Sequence, residues 1–114
     1  LRAVADGDIE DYYRWCFLNH GCAPNVYVDV AARTVVARTG IAPGDELRYD
    51  YETTEWNMVE PFVCDCGADT CRHHIRGYRH LTEAQRRALT APVAPHLPLL
   101  LRELGLSEDE VSLV

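Results

Sequence analysis

The segment CDCGADTC holds three thiols close together in the chain. Cys64, Cys66 and Cys71 form a C-x-C-x4-C array, and Gly67 offers a tight turn between the possible ligands. Structural zinc normally takes four thiolate or imidazole ligands in a tetrahedron, so this array needs a fourth ligand from another part of the chain. The spacing therefore predicts a zinc site rather than three unrelated thiols.

Two kinds of residue could supply the fourth ligand. His73 and His74 follow the array immediately, whereas Cys22 lies in the distant segment FLNHGCAPN, residues 17–25. A local ligand closes a smaller loop at lower entropic cost, which favours His74. Cys22 would instead tie the array to residues 17–25, and spacing alone leaves both alternatives open.

The segment FLNHGCAPN also permits two interpretations without a metal. His20 and Cys22 are two positions apart and would share one face of a strand, as a thiol activated by an imidazole requires. A thiolate bound to zinc is not available as a nucleophile, so a metal role for Cys22 excludes this pairing. In the second interpretation the segment is a turn in which Asn19 bonds to the backbone and His20 packs.

Composition restricts the classes of protein to which the chain can belong. With 114 residues, 47% hydrophobic and 25% charged, it is typical of one globular domain. A net charge of -7 argues against direct nucleic-acid binding through phosphates and favours a basic protein or peptide as partner. Five cysteines with no export signal indicate metal ligands or free thiols rather than disulfides.

The chain contains no apolar run of membrane-spanning length and no basic region followed by an apolar core near residue 1. We therefore expect an intracellular, cytoplasmic protein without a membrane segment. The chain opens at Leu1 rather than methionine, and residues 1–5 resemble the middle of an element. We expect an upstream segment to precede them.

Short β-strands should hold the FLNHGCAPN segment in place. Apolar side chains alternate over residues 25–30 and a β-branched run covers 34–38, so residues 31–33 should connect a hairpin. A helical turn is predicted over residues 8–18, leading into FLNHGCAPN.

A second strand is predicted in ELRYDY, after a turn rich in glycine and proline. Period-two alternation would place Leu47, Tyr49 and Tyr51 on one face, so that two phenolic hydroxyls share a surface. The structural alternative is an aromatic packing face on a half-buried strand.

The rest of the chain changes from loops to helices. Residues 52–80 lack clean periodicity, which suggests a loop-rich unit held by a metal. Thr82 and Gln85 form a capping box for a helix to about residue 90, and Ser107 could begin a further helix. Between them, leucines recur at helical spacing up to Gly105, in a pattern typical of a packing face: Leu97, Leu100, Leu101 and Leu104.

Three motifs together resemble those of SET-domain lysine methyltransferases. NHGCAPN resembles the family's NHSCxPN, GDELRYDY resembles GEELTYDY, and FVCDCGADTCRHHIRG resembles the zinc-binding post-SET segment. They occur in the family's order and together cover roughly residues 12–80. The joint match is far more specific than any one motif.

The resemblance implies a mainly β fold with an α-helical tail. In this family small curved sheets surround a pseudoknot, in which the NHxCxPN segment threads beneath a loop and lies beside the DY strand. Residues 1–60 would be the C-terminal part of the SET domain, residues 61–80 the post-SET zinc-binding segment, and residues 81–114 the helical tail.

The resemblance also implies roles for individual residues. Asn19 and His20 would contact S-adenosylmethionine, largely through the adenine and backbone groups, and Tyr51 would be the active-site tyrosine beside that cofactor. Tyr49 would limit how many methyl groups a lysine accepts. The family's fourth zinc ligand is the cysteine of NHxCxPN, so the ligand set for Zn²⁺ becomes Cys22, Cys64, Cys66 and Cys71.

The implied activity is methyl transfer from S-adenosylmethionine to lysine side chains of a histone-like or other basic protein. Residues 1–16 lack the family's G-x-G cofactor loop, and Cys16, Gly21 and His73 replace residues usual in the family. The alternative is a non-catalytic, zinc-stabilised protein-interaction module built on the same scaffold. Six carboxylates form either a surface that attracts a basic peptide or an ordinary solvated face: Asp45, Glu46, Asp50, Glu52, Glu55 and Glu60.

Overall fold

The computed structural model describes residues 3–5 and 18–104. Within them the chain forms several small sheets with few helices, in agreement with the predicted mainly β architecture. Most of the helical turn expected over residues 8–18, together with Cys16 and the further helix from Ser107, lies outside the described residues. No helix in the described part of the chain is long and apolar enough to cross a membrane.

The predicted hairpin is confirmed and forms the largest sheet. β3 (Val26–Asp29) pairs antiparallel with β4 (Thr34–Ala37), with Val26 opposite Ala37. β1 (Ala3–Ala5) pairs antiparallel with the other edge of β4, giving the strand order β1-β4-β3. The alternating valines of β3 and β4 face one apolar core cluster: Val26, Val28 and Val35, with Tyr49 from the following strand.

A short parallel pair of strands joins two segments that are far apart in the sequence. β2 (Asn19–His20) pairs with β5 (Arg48–Tyr49), so that Asn19 is opposite Arg48 and His20 is opposite Tyr49. The register places the NHGCAPN segment directly beside the YDY segment.

The strand predicted through Tyr51 is wrong at its C-terminal end, because the chain turns after Tyr49. Residues Tyr51–Thr53 form a 3₁₀ turn, and the carboxylate of Asp50 caps it by accepting the backbone N–H of Glu52 at 3.1 Å. A side chain that satisfies a turn N–H competes with continued strand pairing. Tyr51 nevertheless packs against the same core cluster as Tyr49, with ring centroids 4.8 Å apart.

The cysteine-rich segment is closed by a two-residue strand pair. β6 (Phe62–Val63) pairs antiparallel with β7 (His74–Ile75). The chain then passes Gly77, which has φ = 115°, a conformation that glycine adopts readily. A Cβ atom added at this position would lie 2.6 Å from the Trp56 carbonyl oxygen. A second 3₁₀ turn follows at Tyr78–His80.

Two short helices follow the second 3₁₀ turn. The predicted capping box is confirmed: α1 (Glu83–Arg87) begins after Thr82, whose hydroxyl accepts the Gln85 N–H at 3.1 Å. This helix ends earlier than predicted, and α2 (His96–Glu103) ends two residues before Gly105. Leu97 is fully buried against the second 3₁₀ turn and Leu101 packs beside it, as the leucine spacing predicts, whereas Leu104 is 55% exposed.

Candidate functional site

The structure brings four cysteines from two parts of the chain together. Cys22 follows β2, Cys64 follows β6, and Cys66 and Cys71 lie in the loop between β6 and β7. Their Sγ atoms all lie within 4.8 Å of one another. Cys22 and Cys64 are buried, whereas Cys66 and Cys71 are half-buried.

Local backbone geometry explains how one loop supplies three of these thiols. Gly67 adopts φ = 77° and the Cys71 N–H donates to the Ala68 carbonyl at 3.0 Å, which folds the loop back on itself. His73 adopts φ = 63°, a left-handed conformation in which glycine is unstrained.

The two histidines weighed as a fourth ligand are placed differently from Cys22. His74 lies on β7 with an exposed side chain and is not part of the four-residue group. The Nδ1 atom of His73 lies 3.9 Å from Cys71 Sγ, at the exposed rim of the cluster. The sulfur of Cys22 completes the group instead, buried beneath Ile75.

The four-cysteine cluster fits the coordination of zinc. Zn–S bonds of about 2.3 Å in a tetrahedron put sulfurs about 3.8 Å apart, a spacing that a group within 4.8 Å reaches with small movements. Burial raises the pKa of the Cys22 thiol and raises that of Cys64 to about 11. Burial acts in the same direction on Cys66, but hydrogen bonds from the backbone N–H groups of Ala68 and Cys22 lower its pKa to about 6.

A cavity of about 450 Å³ lies beside the cysteine cluster. Its walls include all three predicted cofactor residues, Asn19, His20 and Tyr51, together with Arg48 and the ring of Phe62. The remaining lining comes from the first part of the cysteine loop: Cys64, Asp65 and Cys66. One cavity therefore borders both the parallel strand pair and the cluster.

Tyr51 presents an oxygen lone pair rather than a proton. Its hydroxyl donates to the Leu18 carbonyl at 2.6 Å, which engages the phenolic hydrogen. Burial raises the pKa of Tyr51, so the phenol stays neutral near pH 7. A neutral phenol whose proton is engaged can accept a hydrogen bond from an amine or lie against a positive charge.

The side chains of Asn19 and His20 are engaged within the protein. The Asn19 amide donates to Glu46 Oε2 at 2.5 Å, and Glu46 also pairs with Arg48 at 2.7 Å. The His20 ring lies between Tyr51 N and Cys22 Sγ, at 3.1 and 3.3 Å. Burial and the nearby Arg72 charge lower the pKa of His20 to about 4, so the imidazole is neutral near pH 7.

The Tyr49 side chain belongs to the apolar core and is not among the residues that line the cavity. The side chain is only 4% exposed and packs in the hairpin cluster, in ring contact with Tyr51. Tyr49 therefore reaches the cavity only through its contact with the Tyr51 ring.

Two of the six carboxylates predicted to form an acidic surface are buried instead. Asp50 and Glu52 are 1% and 0% exposed, and both pair with Arg72 from the cysteine segment. Arg72 Nη2 lies 2.5 Å from Asp50 and Nε lies 2.8 Å from Glu52. The surface interpretation is wrong for these two because both pair with Arg72 in the interior. The other four carboxylates are exposed: Asp45, Glu46, Glu55 and Glu60.

Sequence reasoning missed the roles of Arg72, Arg48 and Phe62. Arg72 carries no signal in the sequence, because its carboxylate partners precede it by about twenty residues in an irregular segment. Phe62 could have been noticed as the aromatic residue two positions before the first cysteine of the array.

Comparison with known proteins agrees with this geometry. Residues 2–52 match the SET domain family. The matched region contains the parallel strand pair and both tyrosines. Residues 2–52 of this chain are therefore similar to the SET domain. The match ends within the 3₁₀ turn Tyr51–Thr53, so the three loop cysteines lie beyond it.

Similar curated proteins carry methyltransferase names. The chain is 41% identical over 63 residues to the methyltransferase flvH of Aspergillus flavus, covering 54% of this chain and 35% of flvH. It is 39% identical over 66 residues to the histone-lysine N-methyltransferase set-2 of Caenorhabditis elegans, covering 52% of this chain and 4% of set-2. It is 38% identical over 65 residues to the histone-lysine N-methyltransferase, H3 lysine-4 specific, of Schizosaccharomyces pombe, covering 52% and 7% of the two chains. The chain thus spans about a third of the first relative and less than a tenth of the other two.

Proposed function

We propose that this chain carries part of the active site of an S-adenosylmethionine-dependent protein-lysine methyltransferase. The observation that supports it best is the cavity shared by Asn19, His20 and Tyr51, at a parallel strand pair bordered by the cysteine cluster. In this proposal residues 1–60 belong to the SET domain, residues 61–80 form the post-SET segment and residues 81–114 pack as a helical tail. The NHGCAPN segment would complete the family's pseudoknot.

Zinc would have a structural role in this arrangement. Four thiolates form a closed coordination shell with no open position for water or substrate, which is the arrangement of structural rather than catalytic zinc. The ligands would be Cys22, Cys64, Cys66 and Cys71. Because the loop between β6 and β7 has few apolar contacts of its own, the metal would supply much of the energy that orders it.

S-adenosylmethionine would supply an electrophilic methyl group on a sulfonium, and the lysine nitrogen would displace the thioether in line. The chain's contribution is alignment and electrostatics. A free lysine has a pKa near 10.4, so deprotonating it at pH 7 costs about 4–5 kcal/mol at about 1.36 kcal/mol per pH unit. A dry aromatic channel lowers that cost, because burial disfavours the charged amine.

Tyr51 is proposed to position the amine. Its hydroxyl proton is held by Leu18, so the oxygen lone pair is available to an amine N–H and opposes the positive charge of the sulfonium. Tyr49 would restrict the space around the amine indirectly, by fixing the Tyr51 ring. We propose that this favours fewer methyl additions per lysine.

The substrate proposed is a basic protein or peptide that carries a lysine. The relatives named as histone-lysine methyltransferases suggest a histone-like chain. The exposed carboxylates of Asp45, Glu55 and Glu60 and the net charge of -7 would favour the approach of a basic partner.

A second candidate function is a zinc-stabilised interaction module without catalysis. The observation behind it is the four-cysteine cluster, which such a module would share without binding the cofactor. Cofactor binding separates the two candidates: the enzyme binds S-adenosylmethionine, whereas the module holds zinc alone.

The test of the enzyme is methyl transfer from labelled cofactor to histones by the full-length protein. Tyr51→Phe should lower the rate by about 100-fold, in the range for a positioned polar group at a proton-transfer site. Tyr27→Phe is the matched control, because Tyr27 is a half-buried tyrosine on β3 away from the cavity. Equal rates for wild type and Tyr51→Phe would refute the assigned role.

A further inference from the structure

His20 stands between the cysteine cluster and the active-site tyrosine. Its side chain is only 2% exposed, and each ring nitrogen has a partner on a different side. Nε2 lies 3.3 Å from Cys22 Sγ, and Nδ1 lies 3.1 Å from the backbone nitrogen of Tyr51.

The partners fix the direction of both hydrogen bonds. A backbone N–H can only donate, so Nδ1 accepts from Tyr51 and carries no proton. A neutral imidazole with a bare Nδ1 holds its hydrogen on Nε2, and that hydrogen points to the Cys22 sulfur. Asp50 lies 3.7 Å from Nδ1 but can only accept, and it is already paired with Arg72 at 2.5 Å.

An N–H donor changes the properties of a metal-bound thiolate. It withdraws electron density from the sulfur and stabilises its charged form, as outer-shell hydrogen bonds do at metal centres. The Arg72 backbone N–H also acts on this sulfur, so Cys22 has two donors from the protein. At the other end of the ring, the bond from the Tyr51 N–H fixes the start of the 3₁₀ turn.

We propose that His20 is a positioning residue that links the zinc centre to Tyr51 through hydrogen bonds at both ring nitrogens, so that metal binding and the placement of Tyr51 depend on each other. The proposal rests on the proposed function for the identity of the metal and the role of Tyr51. The proposal identifies a residue that is not a metal ligand but on which both metal binding and the placement of Tyr51 depend.

A purely packing role makes a different prediction. The imidazole also makes edge contacts with the rings of Tyr51 and Phe62, at centroid distances of 5.2 and 5.7 Å. His20→Phe keeps an aromatic ring there but removes both hydrogen bonds. His20→Gln can restore a donor near the Nε2 position, whereas His20→Asn places its amide near Nδ1 and cannot reach the sulfur.

The test measures zinc affinity of the full-length protein by competition with a chromophoric chelator, together with the spectrum of the cobalt(II) form. His20→Phe should bind zinc about 10- to 100-fold more weakly than wild type. It should also shift the sulfur-to-cobalt charge-transfer band. His20→Gln should recover most of the affinity and the wild-type band, while His20→Asn should resemble His20→Phe. His80→Phe is the matched control, since His80 is a buried histidine bonded to Asn57 at 2.8 Å and packed in the tail region.

A second readout follows the Tyr51 amide directly. In wild type, zinc should slow hydrogen exchange at this amide, and His20→Phe should abolish most of that protection. If His20→Phe fails to fold, the ratio of zinc affinities between His20→Gln and His20→Asn decides, with about 10-fold expected.

The outcomes separate the two proposals. Equal zinc affinity, cobalt spectrum and Tyr51 amide protection in wild type and His20→Phe would overturn the role of His20 and leave the proposed function intact. A wild-type protein that binds no zinc would overturn the metal centre itself, and the link through His20 with it.

Discussion

Replacing Arg72 by methionine should strongly destabilise the protein. The guanidinium is 8% exposed and contacts two carboxylates that are almost fully buried, Asp50 at 2.5 Å and Glu52 at 2.8 Å. Glu52 also accepts the backbone N–H groups of Arg76 and Gly77, at 3.1 and 2.9 Å. Arg72 thereby joins the cysteine segment to the 3₁₀ turn after Tyr51.

The magnitude follows from what the substitution leaves behind. Removing one partner of a buried ion pair costs about 3–5 kcal/mol, because the remaining charge loses its compensation. The carboxylates keep their backbone donors, which favours the lower half of that range. Against a total stability of about 5–15 kcal/mol for a domain, a loss of about 3–4 kcal/mol in Arg72→Met would remove between about a fifth and four fifths of the free energy of unfolding.

The assay is urea unfolding with saturating zinc, with Arg76→Met as the matched control. Arg76 is exposed and contributes its backbone N–H to Glu52, so the control should stay within about 0.5 kcal/mol of wild type. Combining Arg72→Met with Asp50→Asn and Glu52→Gln should recover part of the loss. A loss below about 1 kcal/mol for Arg72→Met alone would refute the reasoning.

The same variant should show a distinct dependence on pH. Burial raises the pKa of Asp50 in the folded state, against the opposing charge of Arg72. When a carboxyl has a higher pKa in the folded protein than in the unfolded chain, its contribution to the free energy of unfolding is greatest below the unfolded-state pKa. That contribution is lost as the pH rises through the folded-state pKa. Without Arg72 the pKa rises further, so the deficit relative to Arg76→Met should be smaller at about pH 5.5 than at about pH 7.5.

Three further predictions concern the metal ligands, His73 with its left-handed backbone conformation, and Gly77, which packs against the Trp56 backbone. Zinc analysis should find one ion per wild-type chain, lost in Cys22→Ser and retained in His74→Ala, and the reverse pattern would support the local Cys₃His site. His73→Gly should leave the free energy of unfolding within about 0.5 kcal/mol, whereas His73→Val should lower it by about 1–2 kcal/mol, because a β-branched residue is strained at φ = 63°. Gly77→Ala should cost at least about 2 kcal/mol in urea unfolding, since its Cβ would meet backbone atoms of Trp56, while Gly40→Ala, with open space around it, should be nearly neutral.

Local patterns predicted those parts of the fold that local physics determines. The hairpin followed from β-branched alternation, and the start of α1 followed from a capping box that satisfies its own backbone donors. The strand predicted through Tyr51 ends at Tyr49 instead. The Asp50 carboxylate accepts the Glu52 N–H and caps a 3₁₀ turn there. α1 stopped short of residue 90 since none of its residues is buried, so no packing extends it.

The candidate site depended on contacts between distant residues, which periodicity does not encode. Loop-closure arithmetic favoured His74 as the fourth ligand, yet Cys22 is the residue whose sulfur lies in the group. The parallel pairing of Asn19 with Arg48 brings Cys22 there, and the energy of that pairing does not enter a local estimate. Similarly, Asp50 and Glu52 look like solvated charges until Arg72 is placed beside them.

The same contacts explain why the cysteine segment and the 3₁₀ turn Tyr51–Thr53 should act as one unit. Arg72 follows Cys71 directly and pairs with residues on both sides of Tyr51, while His20 precedes Cys22 by two and bonds to Tyr51 itself. A displacement of either cysteine would therefore be transmitted to the Tyr51 backbone through a buried, directional bond rather than through loose packing. Since a shift of about 1 Å in a reacting group can cost about 100-fold in rate, a metal without an open coordination position would still affect the rate of the proposed methyl transfer.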